Sequence, residues 1–234
     1  MSNSFQHIAT IAEQFKGLPY DFAFLGGAIL EVLITDRGAA TIRTTKDVDV
    51  LVSATTRKSY SDLEAQLRQL GFKHDTSEDA PICRWIFKGI VLDVMPPSRA
   101  VLGWNTQWLM KALNAAIVVD KNAPDIRVVT APYFLVSKIE AFEGRGKNDF
   151  LGSHDLEDFV SVINGRDTIV EEIKSSDPEL QQFLADKISH LLKENRFLES
   201  LDGHLADEAD PSVRKKMLIN RLRQICKEPT PALG

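Results

Sequence analysis

The N-terminal part of the chain alternates helical and strand patterns. Apolar residues three and four positions apart predict a helix over His7–Phe15. The short apolar run Phe22–Leu25 has the length of a buried strand, and the diglycine Gly26-Gly27 ends it. Ala28–Ile34 then has a helical pattern. This order predicts a first helix followed by a strand–turn–helix unit.

The middle of the chain carries the clearest strand patterns. Valine alternates with aspartate and leucine over Asp47–Val52, which predicts a strand with one buried face. An amphipathic helix is predicted over Ser59–Leu70. Cys83–Phe87 and Ile90–Met95 are two apolar runs separated by Lys88-Gly89, a spacing typical of a β-hairpin.

The character of the sequence changes near residue 131. Before it, a helix is predicted over Thr106–Ala116 and short strands over Ile117–Val119 and Ile126–Val129. After it, helical patterns dominate, over Tyr133–Phe142, Leu156–Ile163 and most of 169–226. We therefore predict an α+β protein with an α/β domain over residues 1–130 and a helical domain over residues 131–234.

Composition restricts the class of protein. The chain has 234 residues, of which 44% are hydrophobic and 26% charged, as in a globular protein with its own core. Its two cysteines, Cys83 and Cys226, exclude a disulfide framework and a CxxC-type zinc site. The N-terminus has no apolar leader pattern, and no charge-free stretch has the length of a membrane span. We therefore expect a cytoplasmic protein without a membrane segment.

Three aspartates lie on predicted strands. Asp47 and Asp49 are two positions apart, so both carboxylates leave the same face of their strand. Asp93 interrupts the apolar run Ile90–Met95, where a charge is locally out of place. If the two strands are neighbours, the three side chains converge. Their carboxylate oxygens are the type of ligand that Mg²⁺ or Mn²⁺ selects. Such a triad can hold two divalent ions for an in-line phosphoryl or nucleotidyl displacement.

The diglycine Gly26-Gly27 offers a second chemical feature. Glycines between a strand and a helix let backbone N–H groups approach a phosphate, and the N-terminus of a helix favours negative charge. One turn is therefore predicted to bind an anion and one strand to bind metal.

Taken together, these residues resemble the DNA polymerase β-like nucleotidyltransferase superfamily. Its pattern is GG or GS, then DxD or DxE, then a third acidic residue on a later strand. Gly26 and Gly27 match the first part, and Asp47 and Asp49 match the second within an Arg-x-Thr-x-Asp-x-Asp sequence. Asp93 matches the third. The resemblance implies a mixed sheet with flanking helices, followed by a helical domain that completes the active site.

A later part of the sequence is similar to one branch of that superfamily, the AbiEii-like toxin nucleotidyltransferases of type IV toxin–antitoxin systems, which include the MenT-like enzymes. Their signature is K-x-x-A-x-x-x-R followed by R-D-x-x-D. This chain has Lys138 to Arg145 in the first half, and Asp155 and Asp158 in the second. It departs from the signature at His154, which replaces the arginine, and in extra residues over 147–153.

The resemblance implies a role for each of these positions. Asp47 and Asp49 hold the metal that carries the triphosphate, and Asp93 completes the second metal site and assists deprotonation of the acceptor hydroxyl. The phosphates are contacted by Gly26, Gly27, Arg43, Lys46 and Lys138. Asp155 and Asp158 orient Lys138 or the base.

The implied reaction is transfer of NMP from an NTP to an acceptor hydroxyl, with Mg²⁺ or Mn²⁺ as cofactor. In this branch the acceptor is often the 3′ end of a tRNA, and the partner is a cognate antitoxin protein. The net charge of −5 argues against binding of duplex nucleic acid through bulk positive charge. A local path for RNA is predicted from the basic residues Arg57, Lys58, Arg84, Lys88, Arg145 and Lys147.

Other interpretations remain open at this stage. The chain is alternatively a catalytically silent nucleotidyltransferase-fold binding module, or a nucleotidyltransferase that modifies a small molecule such as an antibiotic. Lys138 is alternatively a helix-surface lysine, and Ser153 and Asp155 are alternatively caps of the following helix.

Overall fold

The structure is a computed structural model that describes residues 3–39, 43, 45, 47–103, 107–120 and 123–226. The predicted phosphate ligand Lys46 lies outside the described residues. The chain forms two compact units. The first comprises Met1–Val32 and Arg43–Thr130, and the second comprises Leu33–Ile42 and Ala131–Gly234.

The first unit is built on a mixed sheet of seven strands among the residues described. The strands are β1 (Phe22–Leu25), β2 (Asp47–Val52), β3 (Lys73–His74), β4 (Arg84–Phe87), β5 (Ile90–Met95), β6 (Ile117–Asp120) and β7 (Ala123–Val128). Their order across the sheet is β3-β4-β5-β2-β1-β7-β6. The pairs β2–β5 and β1–β7 are parallel, and the other pairs are antiparallel. The predicted α+β class with a mixed sheet is confirmed.

Helices complete the first unit. They are α1 (Asn3–Phe15), a 3-10 turn (Gly27–Ile29), α2 (Leu30–Leu33), α3 (Arg57–Gln69), α4 (Arg99–Leu102) and α5 (Leu109–Asn114). Helix α1 buries Ile8, Ile11 and Phe15, and contacts the sheet at β2 and β7. Helix α3 begins two residues before the predicted start because the Thr56 hydroxyl accepts a hydrogen bond from the Ser59 amide in a capping box.

The second unit is helical, as predicted. Its helices are α6 (Ala131–Arg145), α7 (His154–Gly165), α8 (Ile169–Lys174), α9 (Pro178–Leu191), α10 (Asn195–His204) and α11 (Pro211–Ile225). Helices α9 and α11 each begin with proline after an aspartate cap, Asp177 and Asp210 respectively. No helix in the described part of the chain is long and apolar enough to cross a membrane.

Segment 33–42 belongs to the second unit although it follows the diglycine in sequence. The amides of Thr35 and Asp36 both donate to the carbonyl of Gly165, each at 2.9 Å. The Arg166 guanidinium donates to the Leu33 carbonyl at 2.7 Å. A Cβ at Gly165 would lie 2.8 Å from Ile34, so glycine there lets the segment approach the end of α7.

Candidate functional site

The predicted triad of acids is carried on one face of the sheet. Within β2, Val48 and Val50 are buried, and Asp47 and Asp49 leave the opposite face. Strand β5 runs parallel to β2 with Asp93 in register with Asp49. Because side chains in register on neighbouring strands share a face, Asp49 and Asp93 are direct neighbours.

Arg84, on β4, lies one strand further along the same face of the sheet. It lies opposite Asp93 in the antiparallel pair β4–β5, and its Nε and Nη2 donate to the two oxygens of Asp93, each at 2.8 Å. The hydrogen bonds and charge of Asp93 raise the pKa of Arg84. The sequence alone predicts Arg84 only as part of an RNA path. The hairpin contains the signal for the pair, because a two-residue turn at Lys88-Gly89 sets the register that brings residue 84 opposite residue 93.

The diglycine turn lies against Asp49. Gly26 has φ +72°, and a Cβ on it would overlap the Asp49 carboxylate. Only glycine therefore permits this close approach of backbone to carboxylate. A Cβ on Gly27 would lie 3.1 Å from the Arg43 guanidinium and 3.4 Å from the Thr45 Cβ. The structure thus brings Gly26, Asp49, Gly27 and Arg43 together.

The helix after the diglycine is shorter than predicted. The predicted helix Ala28–Ile34 is a 3-10 turn, Gly27–Ile29, followed by the four residues of α2. Only a few aligned peptide units contribute to the dipole of so short a helix, and its contribution to anion binding stays a prediction. Contact of phosphate with the backbone amides of Gly26 and Gly27 stays a prediction.

The three carboxylates satisfy only part of what a divalent metal site requires. No group of three His, Cys, Asp or Glu side chains is arranged to hold a metal in the portion of the chain that the structure describes. Asp93 accepts hydrogen bonds from Arg84 with both of its oxygens. Asp47 accepts a hydrogen bond from the Thr45 hydroxyl with one oxygen. The two hard carboxylates of Asp47 and Asp49, on one strand face with the Gly26 backbone against Asp49, fit a single Mg²⁺ or Mn²⁺.

Cys83 does not add a nucleophile to this site. It is buried, and burial together with the charge of Asp93 raises its pKa to about 12. The side chain is therefore a neutral thiol at physiological pH and packs as a small apolar group.

A second polar cluster lies within the helical unit. Lys138 on α6 is buried, and its Nζ lies 2.7 Å from Asp158 and 3.2 Å from Asp155, both on α7. Asp158 is fully buried. Arg145 donates to both oxygens of Asp155 at 2.8 and 3.0 Å. Lys138 is thus not a surface lysine, and Asp155 and Asp158 lie beside it. That these two acids orient Lys138 or the base in catalysis stays a prediction.

The surroundings of Asp155 favour its ionised form. Burial opposes ionisation of Asp155, but the hydrogen bonds from Arg145 and the charges of Lys138 and Arg145 outweigh it and lower its pKa. Ser153, not Asp155, caps α7, because the Ser153 hydroxyl accepts from the Leu156 amide. The acids of the sheet belong to the first unit and the Lys138 cluster to the second. That the helical domain completes the active site stays a prediction.

Comparison with known proteins identifies the fold. No family model matches the sequence, and no curated protein matches it significantly. A crystal structure of an antigenic nucleotidyltransferase-like protein from Paracoccidioides brasiliensis is similar over 84% of this chain and 92% of that one, with a TM-score of 0.52 at 19% identity. The solution structure of the antibiotic-resistance factor ANT(2'')-Ia aligns over 68% of this chain and 80% of that one, with a TM-score of 0.44 at 14% identity. The chain has a nucleotidyltransferase-like fold.

Proposed function

We propose that the protein is a metal-dependent nucleotidyltransferase that moves NMP from an NTP to an acceptor hydroxyl. One observation carries the proposal: Asp47, Asp49 and Asp93 share one face of the sheet, and the Gly26 backbone lies against Asp49. In the reaction the acceptor oxygen bonds to the α-phosphorus, and the bond from that phosphorus to the pyrophosphate oxygen breaks. Pyrophosphate leaves, and the hydroxyl proton passes to a base.

The chain supplies distinct groups for this reaction. Asp47 and Asp49 would hold Mg²⁺ or Mn²⁺, which when bound neutralises the triphosphate and orients it. Gly26 and Gly27 would contact the phosphates through their backbone amides, and Arg43, which lies beside Gly27, would stabilise developing negative charge. Asp93 is the neighbour of Asp49 and is held by Arg84.

The acceptor we propose is RNA, at the 3′ end of a tRNA, as in the AbiEii-like toxins. Support comes from the later signature, because Lys138, Arg145, Asp155 and Asp158 are assembled in one cluster within the helical unit. A toxin role implies a cognate antitoxin protein as partner.

Labelling with radioactive nucleotides tests this function. Purified protein with Mg²⁺ and each of four α-³²P-labelled NTPs is expected to label total tRNA. Asp47→Asn and Asp49→Asn are expected to reduce labelling at least about 100-fold, since each removes a charged oxygen ligand of the metal. Asp62→Asn, at an exposed position on α3, is the matched control and keeps full activity. The absence of label from RNA, protein and aminoglycoside alike would overturn the proposal. Label in aminoglycoside alone would show that the acceptor is a small molecule.

A second candidate, a binding module without turnover, is favoured by the Arg84–Asp93 pair. This pair removes the third carboxylate from the acidic face as a metal ligand. Calorimetric titration with NTP and Mg²⁺ separates the two candidates. Binding with no released pyrophosphate supports the silent module, whereas binding with turnover supports the enzyme.

A further inference from the structure

Arg84 binds the carboxylate of Asp93, which a second metal ion would need as a ligand. Its guanidinium contacts both oxygens of Asp93 at 2.8 Å, in the bidentate arrangement that satisfies a carboxylate most completely. The pair is sheltered, since only 26% of the Arg84 side chain and 12% of the Asp93 side chain are exposed. An ion pair in such surroundings is screened little by solvent and salt.

The register of the strands fixes the pairing of Arg84 with Asp93. Arg84, Asp93 and Asp49 occupy neighbouring positions on β4, β5 and β2. The hairpin turn between β4 and β5 has left-handed residues at Lys88 (φ 49°) and Gly89 (φ 82°), as the tight two-residue turn requires. Arg84 therefore cannot slip out of register with Asp93 without rearrangement of the hairpin.

The charge of Arg84 also bears on the number of ions, because it offsets one of the three carboxylates. Without the arginine, three carboxylates on one face would repel one another and favour a second cation.

We propose that Arg84 is a built-in counter-ion of Asp93 that restricts the site to one divalent ion, held by Asp47 and Asp49. This inference rests on the proposed function, because it concerns the same metal site. Asp93 is then held by Arg84 from the strand on its far side and is not itself a metal ligand.

Counting bound Mn²⁺ tests the proposal without any measurement of activity. Mn²⁺ is titrated into the full chain, and free Mn²⁺ is followed by its electron paramagnetic resonance signal. The wild type is expected to bind one ion and Arg84→Gln two. Arg68→Gln is the matched control for the loss of one positive charge, because Arg68 contacts Trp85 and Glu64 instead of Asp93, and it is expected to bind one ion.

The double variant Arg84→Gln with Asp93→Asn covers the case in which Arg84→Gln alone fails to fold. It has the same net charge as the wild type and no buried unpaired ion. We expect one ion with an affinity within about threefold of wild type, because Asp93 does not contact the ion. Loss of a group that only orients a metal ligand already costs about 10–100-fold. Two ions in the wild type, one ion in folded Arg84→Gln, or a tenfold loss in the double variant would overturn the inference.

Asp49→Asn separates this inference from the proposed function. It is expected to abolish the single ion. If the wild type binds no Mn²⁺, or Asp49→Asn retains the ion, the proposed metal site fails. If Asp49→Asn loses the ion but Arg84→Gln gains none, only the role of Arg84 fails.

Discussion

The Gly26 backbone lies directly against the carboxylate of Asp49, with no space for a side chain between them. This contact joins the end of β1 to the acidic face of β2. Strand pairing supports it, since Leu25 is in register with Asp49 across the antiparallel pair. The diglycine is therefore part of the acidic site.

Gly26→Ala is expected to be damaging for two reasons. Its φ of +72° with ψ of −169° is a conformation essentially restricted to glycine that costs an L residue about 1–3 kcal/mol, and the added Cβ would overlap Asp49. Gly89→Ala is the matched control, because Gly89 has φ +82° but no atom within 4 Å of the place that a Cβ would take. Urea unfolding is expected to show a larger loss for Gly26→Ala, accompanied by loss of Mn²⁺ binding. Equal losses in the two variants would contradict the close contact.

Lys138→Met is expected to destabilise the protein strongly. It would leave Asp158, which is fully buried, and Asp155 without their shared cation. Removal of one partner from a buried ion pair costs about 3–5 kcal/mol. Lys187→Met is the control, since Lys187 pairs with a half-exposed Glu143 and its loss is expected to cost about 0–1 kcal/mol. Similar free energies of unfolding for the two variants would contradict the role of Lys138 as the shared counter-ion of two buried acids.

The Asp155 pair is expected to weaken in acid. Folding lowers the pKa of Asp155 below its ordinary value of 3.8, so its contribution to stability is present above that value. The contribution disappears as pH falls through the lower, folded-state pKa. The difference in unfolding free energy between wild type and Asp155→Asn is expected to stay constant from about pH 7 to 5 and to shrink below about pH 4. If the difference in unfolding free energy between the two proteins grows as the pH falls, the lowered pKa of Asp155 is contradicted.

Arg214 is expected to anchor segment 33–42. Its guanidinium contacts Asp36 at 2.5 Å and the buried Glu208 at 3.3 Å. Arg214→Met removes the cation from both acids and is expected to cost about 3 kcal/mol. Arg223→Met, at an exposed position on the same helix, is expected to change stability by about 0.5 kcal/mol or less.

A double-mutant cycle isolates the contact with Asp36. Asp36→Asn combined with Arg214→Met is expected to show a coupling energy of about 1 kcal/mol or more, because the two side chains touch. Additive effects would mean that Arg214 stabilises the unit through Glu208 alone.

Local pattern is sufficient to predict most elements of this fold. Apolar runs and alternation predict strands β1, β2 and β5, and helical spacing predicts the character of the chain after residue 131. These features depend on neighbours a few residues away, which the sequence displays directly. The two-residue strand β3 and the four-residue helix α4 escape prediction, because elements so short show no period.

Tertiary structure decided how the chemical groups are paired. The sequence indicates Asp47, Asp49 and Asp93 as a set by residue type and order, and Lys138 with Asp155 and Asp158 by resemblance. That Asp49 and Asp93 are in register, that Lys138 is buried, and that Thr35 and Asp36 bond to Gly165 of the helical unit required the folded chain. The physical reason is distance along the sequence: parallel pairing and burial depend on residues tens of positions apart, which no local period records.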